Sequence, residues 1–134
     1  MSKEVKERQP RPLNLVITIK GSRDRIYIGR DVVRALGKPQ FVCVKVNADM
    51  SALAILPSEE KEYMSFKVPE KMFDVHNADF NMHSKSFVNT ILTVNGLDPQ
   101  QNHSLKGIYS QNDNAVVFKL KPDAADFLLE AIEQ

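Results

Sequence analysis

A strand that runs straight into a helix too short to stand alone sets the tightest limit on how this chain can fold. Residues Arg25 to Gly37 read RIYIGRDVVRALG. In Arg25-Ile26-Tyr27-Ile28, β-branched residues alternate with a partly polar one, which favours an extended backbone. The pattern changes at Gly29. Asp31 falls where a carboxylate suits the positive end of a helix, and Val32 and Leu36, four apart, share one face. Gly37 can take the positive φ of a helix C-terminus and Pro39 cannot continue the helix, so barely two turns are predicted. A helix of that length is marginal in water and has to be held by strands on both sides.

Suitable strands flank it. Leu15 to Ile19 (LVITI) precedes the unit, Phe41 to Val46 (FVCVKV) follows it, and Ala52 to Leu56 (ALAIL) closes a hairpin across Asn47 to Ser51. An Arg precedes an Ile-x-Ile-like strand, Gly29 breaks it, and Asp31, the aliphatic Val32, the basic Arg34 and Leu36-Gly37 follow in order. This ordered set resembles the swapped-hairpin unit of the AbrB, SpoVT and MazE family. The resemblance implies DNA binding, as a repressor, transition-state regulator or antitoxin, by two copies that interlock to complete one barrel.

Downstream the same order of elements recurs with different letters. Met64 to Val68 (MSFKV) alternates like a strand, and Phe80-Asn81-Met82 stands where Ile26-Tyr27-Ile28 stood. Ser84 to Thr93 carries Phe87 and Ile91 at helical spacing, with Ser84 as a candidate N-cap and Asn95-Gly96 as the stop. Ser104 to Tyr109 and Ala115 to Leu120 flank Ser110 to Asn114, whose Asn-Asp-Asn suits a hairpin loop. Two swapped-hairpin units in one chain can interlock with each other, an arrangement similar to the tandem MraZ branch, and closure removes exposed strand edges. Val68 to Asp74, with Pro69 fit for a first helical turn, has no counterpart in the first unit.

The expected class is therefore a strand-rich α+β chain: two tandem units interlocked into a pseudo-two-fold β-barrel, followed by a C-terminal helix. The first unit spans 13–57, a charged linker 58–63, the second unit 64–121 and the helix 122–134. Asp123 can cap that helix, whose stripe of Phe127, Leu128, Ala131 and Ile132 can close a barrel end or meet a partner. Met1 to Pro12 is polar, charged and interrupted by Pro10 and Pro12, and reads as a flexible arm.

At 134 residues the chain can bury roughly two thirds of its unfolded surface, enough for one sizeable core. No apolar run approaches the ~20 residues that span a bilayer, and the N-terminus has no hydrophobic signal core, so a cytoplasmic protein with no membrane partner is expected. The single Cys43 lies inside FVCVKV and reads as a small buried hydrophobe. Charge is unevenly spread: residues 1–40 hold ten Lys or Arg against four Asp or Glu, the remainder eight against thirteen. Such asymmetry points a basic surface at a polyanion.

The candidates for contact with double-stranded DNA are Lys20, Arg23, Arg25, Arg30, Arg34 and Lys38. The resemblance places Lys20 and Arg23 in the loop that approaches the duplex and matches Arg25 to the family Arg before the second strand. Gly21 and Ser22 could let the backbone near a phosphate. A guanidinium can grip a guanine edge twice, which favours Arg23 and Arg25 for base reading, while Arg30 and Arg34 share a helix face suited to phosphate or partner contact. The second unit places Asp79, Ser84 and Asn89 where the first has Arg25, Arg30 and Arg34, so one chain offers one set of cations and a homodimer would be needed for two.

No catalytic constellation emerges, so no enzyme is expected. His76, His83 and His103 have no metal-ligand spacing, and no nucleophile elbow, Walker loop or dinucleotide fingerprint occurs, so no cofactor and no metal are expected. Glu59, Glu60 and Glu62 form a solvated cluster in the linker. The other class left open is a non-catalytic module, antitoxin-like or from a mobile element, that binds a protein or small ligand.

Overall fold

Alternation of buried and exposed residues becomes an antiparallel barrel. The computed structural model describes residues 12–74 and 79–121. All of the expected arm but Pro12, and the helix expected at 122–134, lie outside the described residues. In order come β1 (Val16–Lys20), a 3-10 turn (Gly21–Arg23), β2 (Arg25–Ile28), α1 (Arg30–Ala35), β3 (Phe41–Val46) and β4 (Ala52–Pro57). Then follow β5 (Ser65–Lys67), β6 (Phe80–His83), α2 (Lys85–Val94), β7 (Asn102–Ser110) and β8 (Ala115–Lys119). The strands form one eight-stranded antiparallel sheet in the order β5-β3-β4-β8-β7-β1-β2-β6, nearly closed into a barrel. Ile17, Ile19, Ile26, Ile28, Leu53, Ile55 and Phe118 point inward and are fully buried.

The pairings cross between the two halves of the chain. The β1·β2 and β3·β4 hairpins do not pair with each other: β1 lies against β7, β2 against β6, β3 against β5 and β4 against β8. Exchanging β1 to β4 with β5 to β8 returns the same cyclic strand order. In β2·β6, Ile26 faces Met82, Tyr27 faces Asn81 and Ile28 faces Phe80. With Ile26-Tyr27-Ile28 aligned on Phe80-Asn81-Met82, the exchange axis passes between Tyr27 and Asn81.

One pair breaks the rule, because β5 and β6 are not bonded as β1 and β2 are. The link between β1 and β2 is Gly21–Asp24, whereas that between β5 and β6 runs from 68 to 79. Its described part is two successive turns, Met72 N–H to Pro69 O at 3.1 Å and Asp74 N–H to Lys71 O at 3.0 Å, instead of the expected helical segment. Met72 is fully buried, so this segment contributes to the core beside the open seam.

The short helix is held as its length requires. Val32, Val33 and Leu36 are buried, and each such side chain contributes about 2 kcal/mol that a free six-residue peptide would lack. Its end is closed by Gly37 at φ +85, with Lys38 N–H bonded to Val33 O at 2.9 Å and Gly37 N–H to Arg34 O at 3.0 Å. That pair of bonds satisfies carbonyls the helix leaves open. Asp31 does more than face a helix end. Its carboxylate accepts from Asn14 N–H at 2.8 Å and from Arg34 Nη1 at 2.6 Å, tying the approach to β1 onto α1.

In α2, Ser84 occupies the N-cap position but makes no side-chain cap bond. Its backbone N–H instead donates to Asp24 O at 3.0 Å. Asn95 is more than a stop signal: it is buried, and its Nδ2 donates to Met50 O and Ile91 O, both at 2.8 Å. Cys43 is fully buried with Leu56 and Ala115 in a small second cluster. Burial pushes its thiol pKa up, and the charge of Glu62 adds to that. No helix among the described residues is long and apolar enough to cross a membrane.

Candidate nucleic-acid interface

Register sorts the strand residues of β7, β1, β2 and β6 onto two faces. Ile17, Ile19, Ile26, Ile28, Phe80 and Met82 fill the barrel, so their neighbours must face outward. Pairing aligns Asn102, Lys20, Arg25 and His83 in one outward row, and Ser104, Thr18, Tyr27 and Asn81 in the next. Val16 faces Lys106 in a third. The strand residues of these rows include three cations and no carboxylate.

The polar groups form a connected surface. Lys20 Nζ lies 5.4 Å from the centre of the Tyr27 ring, close enough for a cation–π contact. The Thr18 and Ser104 hydroxyls are 3.0 Å apart although 86 positions separate them in sequence. Asn81 Oδ1 is buried and without a hydrogen-bond partner among the described residues.

At one end of this face the 3-10 turn projects Arg23, exposed like Arg25. The turn is clamped from both sides. Gly21 N–H donates to Gln101 O at 3.1 Å, and Asp24, left-handed at φ 56, accepts the Ser84 N–H. Gly21 is buried, and a Cβ there would stand 2.3 Å from Pro99 O. Its close approach is to the chain's own backbone, which replaces the expectation that it makes room for a phosphate. Beside the turn, Lys85, Ser86 and Asn89 of α2 line a shallow depression of about 560 Å³ with Gly21, Asp24 and Gln100.

The six candidate cations therefore fall into two groups. Lys20, Arg23 and Arg25 are brought together at the turn. Arg30 opens α1 at the opposite end of β2. Arg34 pairs with Asp31 and lies 4.9 Å from the Phe73 ring centre, with Lys38 4.7 Å from the same ring. Phe73 borders a separate cleft of about 720 Å³ whose walls include Val33, Lys38, Phe41, Glu60 and Glu70.

Sequence reasoning missed Lys106, Lys85, Thr18, Tyr27 and Ser104. A β-strand with outward polar positions alternating along β7 is visible in NHSLKG, but which strand it joins is not. Among the described residues no group of three or more His, Cys, Asp or Glu side chains could hold a metal ion. His103 instead contacts Asp98 O through Nε2 at 2.9 Å.

Such a surface has the parts that nucleic-acid binding needs. Cations attract phosphates, and hydroxyl and amide groups between them can exchange hydrogen bonds with base edges. Compared with family models, with curated proteins and with solved structures, the chain has no match.

Proposed function

We propose that this chain is a non-catalytic, swapped-hairpin DNA-binding protein of the AbrB, SpoVT and MazE type, with two interlocked units, acting as a transcriptional regulator. The observation that carries the reading is the outward face of β7-β1-β2-β6, where Lys20 is paired with Arg25, Lys106 stands farther along the same face, and no strand carboxylate lies beside them. Support for the interlocked units comes from the exchange-symmetric strand order. Four strands are roughly 15 Å across, wider than the ~12 Å major groove, whereas a two-stranded ribbon fits. The β1–β2 ribbon would thus enter the groove tip first with Arg23 and Arg25, while Lys85 and Lys106 meet the flanking phosphates.

Five cations, Lys20, Arg23, Arg25, Lys85 and Lys106, give a log-log salt slope of about −4.5. Fluorescence anisotropy with a labelled random-sequence duplex measures it. Changing Lys20 and Arg25 together to Ala is expected to weaken binding and flatten the slope by about two. Absence of duplex binding at low salt, or a slope indifferent to these substitutions, overturns the reading.

The cleft bordered by Phe41 and Phe73 favours a second reading, a module for a protein or small ligand. Partner binding that persists at high salt without duplex affinity would select it.

A further inference from the structure

We infer that the chain recognises a single half-site, engaging duplex DNA at the turn corner of the outward face while the exchange-related corner is closed to it. This rests on the DNA-binding reading and adds an asymmetry to it. Because β2 and β6 pair antiparallel about Tyr27 and Asn81, the exchange carries Arg25 onto Asp79 and the turn Gly21–Asp24 onto the segment 68–79. These two corners lie at opposite ends of the β2·β6 pair. A symmetric barrel would offer cations at both.

Here the corners differ in net charge. Residues 20–25 hold Lys20, Arg23 and Arg25 against Asp24, and Lys85 adjoins them. Arg23 and Arg25 are exposed, and among the described residues neither forms an ion pair. At the other corner, Glu70, Asp74 and Asp79 are matched by Lys67, Lys71 and Arg30, which opens α1 at the same end of β2. Lys67 is bonded to Glu70 at 3.3 Å. Two cations near this corner are exposed but engaged: Arg34 is held by Asp31 at 2.6 Å, and Arg34 and Lys38 both lie on Phe73.

A phosphate backbone meets attraction at the first corner and exposed carboxylates at the second. Asp79, which takes the place of Arg25, is exposed. The recognised sequence should then be non-palindromic and short, since a single ribbon tip enters one stretch of groove. One chain should occupy one site.

Selection from a randomised duplex library, followed by footprinting with the full chain, tests this. Non-palindromic selected sites with one chain per site support it, and inverted repeats bound by one chain overturn it while leaving DNA binding intact. Asp79→Arg, at an exposed position, restores a cation at the second corner and is expected to steepen the salt slope by about one and lengthen the footprint. Arg34→Ala with Lys38→Ala is expected to leave the slope unchanged, with thermal melting run alongside to check folding. If either Asp79→Arg leaves slope and footprint unmoved, or the Arg34 and Lys38 pair flattens the slope as Lys20 and Arg25 do, the asymmetry is wrong. If the wild-type chain binds no duplex at low salt, the DNA reading itself fails and takes this inference with it.

Discussion

Replacing Gly21 by Ala should cost more than replacing Gly37 by Ala, although only the second glycine has a positive φ. At Gly21 an added Cβ would lie 2.3 Å from Pro99 O and 2.7 Å from Gln101 O, both fixed backbone atoms. Ordinary contact needs about an ångström more, so β1 and the segment leading to β7 must part at their shared end. Overpacking of this kind costs ~1–3 kcal/mol, and the Gly21 N–H bond to Gln101 O, 3.1 Å long, adds ~1 kcal/mol when lost. The sum is about 2–4 kcal/mol. At Gly37, φ is +85 and nothing lies within 4 Å of the added atom. The cost there is conformational alone, ~1–2 kcal/mol for Ala and less for Asn, which tolerates the left-handed region. Urea denaturation of the two Ala variants, with Gly37→Asn and Gly21→Asn beside them, separates space from conformation. Asn should rescue position 37 and worsen position 21. If Gly21→Ala is no more destabilising than Gly37→Ala, the clamped turn is not the constraint argued here.

Two further outcomes follow from particular carboxylates. Asp31→Ala removes charge-assisted bonds to Asn14 N–H and Arg34 and should lower stability by about 2–3 kcal/mol, with Asp31→Asn losing less, as read from urea midpoints. Asp49 accepts from the Ser51 hydroxyl at 2.6 Å and the Ser51 N–H at 3.1 Å, and these bonds hold its carboxyl pKa below the usual value. A carboxylate with a lowered folded pKa contributes stability above its unfolded pKa and loses it as pH falls through the folded one. The wild-type chain should therefore shed more stability than Asp49→Asn below about pH 4, and parallel denaturation curves with falling pH would contradict it.

The fold was legible wherever a local period or a turn residue carries it. Ile26 and Ile28 mark the inward face of β2 by alternation, and Gly37 and Gly96 end their helices at φ +85 and +72. What alternation cannot encode is which distant strand comes alongside. The Thr18 hydroxyl meets Ser104, 86 positions away, and so Lys106 entered the interface unseen. Nor does a cation's charge reveal its partners. Arg23 and Arg34 look alike in sequence and both are exposed, yet one stands on a turn and the other is paired with Asp31 and lies on Phe73. Pro69 suggests a helical start equally well for a helix or for isolated turns; the burial of Met72 in the core favours turns that bring that one side chain inward.

The longer link between β5 and β6 connects these observations. A Gly21–Asp24 turn lets β1 and β2 pair along their length, but after β5 the residues 68–74 place Met72 in the core and Phe73 against α1. Phe73 lies under both Arg34 and Lys38, so the same insertion that leaves the barrel short of closure also engages two exposed cations. A shorter second link would be expected to do both things together: pair β5 with β6, and free Lys38 and Arg34 from the Phe73 ring while Asp31 still holds Arg34. Seam and charge asymmetry are, on this argument, one feature with a single structural cause.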